Sequence, residues 1–349
     1  MLMPLLKENN IQQNFICSQD YDSKKYKLWN EKVFTINMNQ SFNPSKVLAS
    51  IKKIRKILKQ TQPDIIYCHS SFAGGLGRIA AIGFNCKIIY NPHGWAFNIK
   101  SMKRYIYFFI EKILALITDK IVCISNAEKV SAINKHIISS KKLELIPNGI
   151  DISAVQNATP KSKKSLNIPE ESYIIGMIGR LSSQKAPDIF IKAINLIKVK
   201  IPNIYCIIVG DGDLAPKIQQ YAAQHSIPLL ITGWTNEAYS YLKIFDIALL
   251  LSRWEGFGLA ITEYMAANKN FIATNVDAIP TLVDNNIDGI LVNPDSPEEV
   301  KEKVLYLYTH PLEAKEMRKK ALQKVKEKYE IHRVANQHIA LFKELMHTK

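Results

Sequence analysis

Long apolar runs are missing from this chain. Spanning a bilayer as a helix takes roughly 18–20 consecutive apolar residues. The best stretch, Tyr105 to Ile117, is shorter and carries Glu111 and Lys112. The start, MLMPLLKENN, lacks the basic-then-apolar order of a secretory signal. Both absences lead to the expectation of a cytoplasmic protein. Cysteine is scarce too. Cys17, Cys68, Cys86, Cys123 and Cys206 form an odd set without CxxC spacing, which argues against a disulfide framework or a zinc cluster and for a reducing compartment. The histidines show no metal-ligand spacing. There is no repeat of solenoid period, no low-complexity tract and no nucleic-acid recognition motif.

Acidic residues are few in the first half. Residues 1–150 hold 22 Lys/Arg against 9 Asp/Glu, while the rest balances 24 against 22. A surplus of that kind suits an anionic lipid or a phosphorylated substrate, or is simply a lysine-rich solvated surface. At 349 residues, 47% of them hydrophobic, the chain exceeds the roughly 250–300 residues that one core holds, so two domains are expected.

Short apolar runs alternate with helical patterns. NFICS (14–18), VFTIN (33–37), DIIYCHS (64–70), CKIIYNP (86–92), KIVCIS (120–125) and KLELIPN (142–148) read as strands. A basic amphipathic helix covers 46–60, and a Gly-rich turn followed by a helix comes after residue 70. The alternation restarts at YIIGMIG (173–179) and runs through YCIIVGDG, LLITGW, DIALLLS, FIATN and GILVN. Apolar strands alternating with helices predict parallel sheets covered on both faces. The fold class is therefore α/β, with two doubly wound halves and a ligand cleft between them. The expected boundaries are a first domain over 1–153, a polar linker over 154–172 and a second domain over 173–330. A final helix at about 331–349 could pack back on the first domain.

The segment Ser252-Arg253-Trp254-Glu255-Gly256-Phe257-Gly258-Leu259-Ala260-Ile261-Thr262-Glu263 concentrates the chemistry. A buried strand ends at Ser252, a loop with two glycines follows, and a helix begins near Leu259. Glycine lets backbone approach a ligand, and free N–H groups at a helix start suit phosphate. Glu255 and Glu263 would flank that phosphate; carboxylates there repel phosphate and instead accept hydrogen bonds from sugar hydroxyls. Upstream, Gly179-Arg180-Leu181-Ser182-Ser183-Gln184-Lys185 brings Arg180 and Lys185, two cations that can neutralise a diphosphate leaving group. Asp211-Gly212-Asp213 has the pattern of a DxD metal clamp, but Asp213 reads more simply as the cap of a helix beginning at Leu214. Trp254 and Phe257 read as packing residues.

The Glu255-x7-Glu263 spacing with GFGL inside it, GRLSSQK, VGDG (209–212), ITGW (231–234) and PNGID (147–151) resemble the retaining glycosyltransferases of family 4. The resemblance covers nearly the whole chain and is strongest over 145–295. It implies the GT-B architecture of two Rossmann-like domains and a donor that is a nucleotide-diphosphate sugar, with no metal and no cofactor. Glu255 would position the sugar and Glu263 the ribose. Arg180 and Lys185 would hold the diphosphate with backbone N–H groups of Gly258 and Leu259, and Phe257 and Thr262 would complete the donor site. In the first half, CHSSFAGGLGR (68–78) and NPHGWAF (91–97) resemble the acceptor domain of polysaccharide-assembling members. His93 would hydrogen-bond the donor sugar beside the reacting carbon, with His69 a second candidate. The implied acceptor is a glycan or a polyprenyl-diphosphate-linked glycan.

The basic, aromatic stretch Lys100–Ile117 admits two readings, a surface lying on an anionic membrane as a peripheral protein would, or an ordinary core helix. Members of the family start with a strand and a Gly-rich loop; this chain starts in what resembles the following helix, so the first domain is expected to lack its first, central strand. Ala186 stands where the family commonly has Gly, a mild change unless that position needs positive φ. A GT-B-fold nucleotide-sugar epimerase and a truncated, non-catalytic nucleotide-sugar-binding protein remain as alternatives.

Overall fold

The computed structural model describes residues 2–20, 22–38, 43–98 and 101–347. The chain forms two compact units, Met1–Gly149 with Ile331–Lys349, and Ile150–Glu330.

The first unit begins with α1 (Leu2–Glu8), β1 (Asn14–Ser18), β2 (Lys32–Ile36) and α2 (Pro44–Thr61). Asn43 accepts the Ser45 N–H ahead of Pro44 and so fixes the start of α2. Next come β3 (Ile65–His69), α3 (Ser71–Ala81), β4 (Lys87–Asn91), α4 (Lys103–Leu116), β5 (Lys120–Cys123), α5 (Asn126–Asn134) and β6 (Leu143–Leu145). Every pairing is parallel, but there are two sheets, β1-β2 and β3-β4-β5-β6. Among the described residues no strand joins β1 to β3. A shared apolar cluster still unites the two parts, with Ile36 of β2, Ile54 and Ile57 of α2 and Leu76 of α3 packed with Ile16 and Ile66.

The expected Gly-rich turn after β3 is helical instead, as α3 runs straight through Ala73–Gly77. Its glycines serve close packing: a Cβ on Gly74 would lie 2.6 Å from the Tyr90 ring. The basic stretch begins at Lys100, which lies outside the described residues; from Lys103 onward it is α4.

The second unit holds α6 (Ile152–Gln156), β7 (Tyr173–Ile178), α7 (Pro187–Ile197), β8 (Ile204–Val209), α8 (Ala215–Gln224), β9 (Leu229–Ile231) and α9 (Ala238–Leu242). It continues with β10 (Ile247–Leu250), α10 (Leu259–Ala266), β11 (Asn270–Thr274), α11 (Ile279–Leu282), β12 (Ile290–Val292), α12 (Pro297–Thr309) and α13 (Pro311–Lys328). Its six strands form one parallel sheet in the order β12-β11-β10-β7-β8-β9. Helices cover both faces, which is why β7, β8 and β10 read as unbroken apolar runs; all four residues of β10 are buried.

Three expectations differ from the structure: the boundary, the linker and the cap at Asp213. The boundary falls after Gly149, not after 153, and 154–172 is not a free linker. Val155 and Ile168 are buried, and α6 packs against α10. The polar composition of the segment hid these few apolar anchors. Asp213 does not cap a helix either: α8 starts at Ala215 with no side-chain cap, and Asp211 Oδ1 instead accepts the Gly212 N–H at 2.7 Å. The chain enters and leaves this unit side by side, with Ile150 N–H donating to Tyr329 O at 2.8 Å. Beyond it, α14 (Ile331–His347) belongs to the first unit. There Val334, Leu341 and Leu345 pack with Ile89, Val122 and Ile146. The last two residues of the expected helix lie outside the described residues.

Candidate active site

In the second unit the strand order turns around between β7 and β10, since β7 continues outward to β8 and β10 to β11. Loops leaving the carboxyl ends of two such strands diverge and leave a crevice. The loop after β7 carries Arg180 and Lys185, and the loop after β10 carries Glu255. The two loops, some seventy residues apart in sequence, are laced together. Arg253 N–H donates to Gln184 O at 2.8 Å, and Gln184 Nε2 to Trp254 O at 3.0 Å. The Arg253 guanidinium reaches Ser183 O at 2.7 Å, both oxygens of Asp188 at 3.2 and 2.7 Å, and Asp295 at 2.7 Å. Burial pushes the Asp188 carboxyl up, but its hydrogen bonds and charge contact with Arg253 outweigh that and hold it below the usual range. The VGDG segment closes the floor. A Cβ on Gly210 would lie 2.1 Å from the Gly179 carbonyl oxygen, so only glycine allows this approach.

On this frame Lys185 Nζ lies 2.5 Å from Glu255 Oε2. Ser252 Oγ donates to the same carboxylate at 3.0 Å, and the Glu255 N–H is held by Asp277 Oδ2 at 2.9 Å. Cation and carboxylate are therefore fixed side by side. Arg180 is exposed in the same loop. Gly258 precedes α10 with φ +95°, which an L side chain would resist, and α10 opens with no acidic residue in its first turn. That first turn presents backbone N–H groups and the positive end of the helix dipole. Leu259 is exposed there. Phe257 and Thr262 turn inward. Phe257 packs edge-on to Tyr329 with centroids 5.9 Å apart, and the buried Thr262 hydroxyl donates to Leu259 O at 2.8 Å. Both side chains are buried. Trp254, read as a packing residue, is 51% exposed.

Glu263 lies one turn into α10. Burial pushes its carboxyl up to about 7, against the Tyr239 hydroxyl, which donates at 3.4 Å, and the charge of Lys185. Tyr239, Ser252, Arg253 and Asp277 were not singled out from the sequence. Arg253 alone had a legible signal, a cation beside Glu255 in the motif loop; its partners become neighbours only through the pairing of β7 with β10. Ala186 adopts φ +49° ahead of Pro187, so the position where glycine is usual does require the left-handed conformation.

In the first unit His93 follows β4 at φ +51°, with Gly94 at +107°. Its Nε2 lies 2.9 Å from His69 Nδ1. Surrounding protein and the charges of His93 and His338 hold His69 below the ordinary imidazole value, although the residue as a whole is exposed.

Residues 158–324 match the model of the glycosyl transferases group 1, and residues 2–154 that of Glycosyltransferase Family 4. A UDP-Gal:alpha-D-GlcNAc-diphosphoundecaprenol alpha-1,3-galactosyltransferase of Escherichia coli is 31% identical over 301 residues, covering 82% of this chain and 78% of that protein. This chain belongs to glycosyltransferase family 4. Among other relatives of this family 4 enzyme is the capsular polysaccharide biosynthesis glycosyltransferase CapM of Staphylococcus aureus, 23% identical over 310 residues, 86% of this chain and 81% of that one. A glycosyltransferase structure from Rickettsia africae superposes with TM-score 0.84 at 24% identity, covering 100% of this chain and 94% of that one. Anabaena HepE in complex with UDP gives 0.83 at 16%, covering 98% and 95%. These structures carry the fold: the family 4 enzyme has the GT-B architecture, with two Rossmann-like domains.

Proposed function

We propose that this family 4 enzyme moves a sugar from a nucleotide-diphosphate donor to a hydroxyl of a glycan or a polyprenyl-diphosphate-linked glycan, with retention at the anomeric carbon, in assembling a bacterial surface polysaccharide. The observation that carries the reading is the Lys185–Glu255 pair at the turn-around of the second sheet. In a nucleotide sugar the charged diphosphate and the neutral, hydroxyl-bearing ring are joined through one oxygen. A cation and a carboxylate fixed side by side match that junction, with Lys185, Arg180 and the first turn of α10 toward the phosphates and Glu255 toward the hydroxyls. Glu263, deeper in α10, takes the ribose hydroxyls. The relatives support the acceptor, since the E. coli protein is named for a diphosphoundecaprenol-linked sugar and the S. aureus protein for capsular polysaccharide.

Both glutamates are engaged in recognising hydroxyls, so a two-carboxylate glycosidase scheme fits poorly. In the retaining route the bond from the anomeric carbon to the donor phosphate breaks, and the acceptor oxygen bonds to the same face. The acceptor proton passes to the departing phosphate oxygen, while the basic groups stabilise the diphosphate. His93 would hydrogen-bond the sugar during that step. The test is a panel of nucleotide sugars scored by thermal shift and by nucleotide release with and without acceptor. Stabilisation by one donor and acceptor-dependent release supports the reading; an interconverted donor without acceptor, or binding without turnover, overturns it.

The surface of α4 supports a membrane-associated acceptor at the cytoplasmic face. Among the described helices none is long and apolar enough to cross a bilayer, and α4 is not the core helix that its apolar residues also allowed. Tyr107, Phe108, Glu111, Leu114 and Ala115 face inward, while Tyr105, Ile106, Phe109, Ile110, Ile113 and Leu116 are exposed, Phe109 at 62% and Leu116 at 80%. At about 100° per residue, Lys103 and Lys112 border the exposed apolar arc on its two sides. That is the pattern of a helix lying in the interface plane of an anionic bilayer. Binding to vesicles containing phosphatidylglycerol, lost in Phe109→Glu/Ile113→Glu, supports it; equal binding of both proteins overturns it.

A further inference from the structure

His93 is held from two directions, through its backbone N–H and through its ring. His338, buried on α14, has Nδ1 2.9 Å from the Val334 carbonyl. A carbonyl only accepts, so Nδ1 carries the proton, and burial holds the imidazole below its ordinary pKa. The neutral ring then offers Nε2 as an acceptor. Tyr67 Oη, 3.1 Å away, donates to it. The same phenol oxygen accepts from Asn91 Nδ2 at 3.3 Å. This fixes the amide orientation of the buried Asn91, whose Oδ1 accepts the His93 N–H at 3.2 Å. Donors and acceptors alternate without conflict from Val334 through His338, Tyr67 and Asn91 to the backbone of His93.

The ring of His93 is gripped separately. Its Nε2 shares one proton with His69 Nδ1, and the two rings stack with centroids 5.2 Å apart. His69 in turn lies against Tyr67, with centroids 4.2 Å apart. Two imidazolium ions would leave no acceptor for that shared proton, so at most one ring is charged while the contact lasts. Among the described residues Nδ1 of His93 has no hydrogen-bond partner, and it is the atom the arrangement leaves for a ligand. The left-handed backbone of His93 needs such outside support, because a side chain at φ +51° is strained.

We propose that Asn91, Tyr67 and His338 are positioning residues for His93, and that α14 thereby takes part in the transfer reaction as well as in packing. The inference rests on the reading that His93 meets the donor sugar. Tyr67→Phe removes the hydroxyl that both Asn91 and His338 use, at little cost in volume. The expected result is a fall in kcat of about tenfold or more, with donor KM and calorimetric UDP binding unchanged. His338→Phe should do the same, and His338→Gln, which keeps an acceptor, should recover part of the loss. In a His93→Ala background Tyr67→Phe should have no further effect on kcat, because a residue that acts through another has nothing left to act on. An equal loss in both backgrounds, or no loss in the His93-containing protein, overturns the proposal. Full turnover in His93→Ala alone overturns the reading of His93 and the proposal with it. A fall in His93→Ala with none in Tyr67→Phe sinks the proposal alone.

Discussion

The two units use charge in opposite ways. In the second unit, charged groups gather at one end of a complete six-stranded sheet and lace two loops into a frame, with Arg253, Asp188, Asp295, Lys185 and Glu255 all within direct reach of a partner. In the first unit, the sheet is in two parts and a fully buried ion pair lies inside. Arg78, fully buried, pairs with Glu111 at 2.8 Å; Tyr90 Oη donates to the same carboxylate at 2.9 Å, and the guanidinium covers the Tyr90 ring at 3.7 Å. That pair anchors α4 from within while the outer face of α4 stays apolar. The contrast fits the function proposed above, in which a small donor would meet a rigid charged frame and a lipid-linked acceptor a broad apolar surface held from behind.

The sharpest way to break this contrast is to cut the inner anchor. Glu111→Ala leaves the Arg78 charge buried without its partner and should lower stability by about 3–5 kcal/mol, measured by urea unfolding. A loss under 1 kcal/mol would show that α4 is held by its apolar contacts alone. Next in size, Lys185→Ala and Glu255→Gln should each lower turnover by about 100- to 1,000-fold, the scale set by losing one preorganised charge contact at a reacting centre. Their circular dichroism and unfolding should stay near those of the parent, since neither residue builds the core. Full activity in both variants would dismiss the pair as the donor site.

A smaller effect concerns pH. The Glu263 carboxyl is raised to about 7 from an ordinary value of 4.5, so the folded protein binds more protons than the unfolded one between those values. Stability from this group is therefore fully present below about pH 4.5 and falls as pH rises toward 7. Ribose hydroxyls donate better to the ionised form, so UDP affinity should rise several-fold from pH 6 to pH 8. Calorimetry on Glu263→Gln, which retains the titration of the nucleotide itself, should show a flatter profile; identical profiles would remove Glu263 from the ribose. Smallest of all is Ala186→Gly. Relief of a left-handed alanine is worth about 1–2 kcal/mol, against about 0.8 for the lost buried methyl and about 0.4–1 for added freedom of the unfolded chain. The net change should stay within about 1 kcal/mol, and a larger loss would mean that the Ala186 methyl packs more tightly than burial alone indicates.

Much of this was legible because the information was local. Short apolar runs such as YIIGMI and IALL, bounded by turn residues and alternating with helical patterns, fit strands buried on both faces, and Glu255 and Glu263 are tied to their positions by a strand end and a helix start in the same dozen residues. What escaped depends on contacts between distant segments. Asp188 and Arg253 are 65 residues apart and meet only because β7 and β10 are neighbours. The outward face of α4 was undecidable because both sides of that helix are apolar in sequence; Glu111, the one charge among its inward residues, marks the inside only once Arg78 is seen opposite. The segment 154–172 misled by its polarity, because Val155 and Ile168 are buried within it and Lys161 pairs with Glu237. The glycines of α3 were read as a turn because close helix–strand packing and turns call for the same residue.

The placement of α14 has a consequence for how this protein is made. Its Val334, Leu341 and Leu345 finish a core begun by Ile89 and Val122, yet they emerge from the ribosome only after all of 150–330 has been synthesised. The unit that starts first is thus completed last, and during translation its apolar seam waits uncovered while the later unit has every strand of its own sheet to hand.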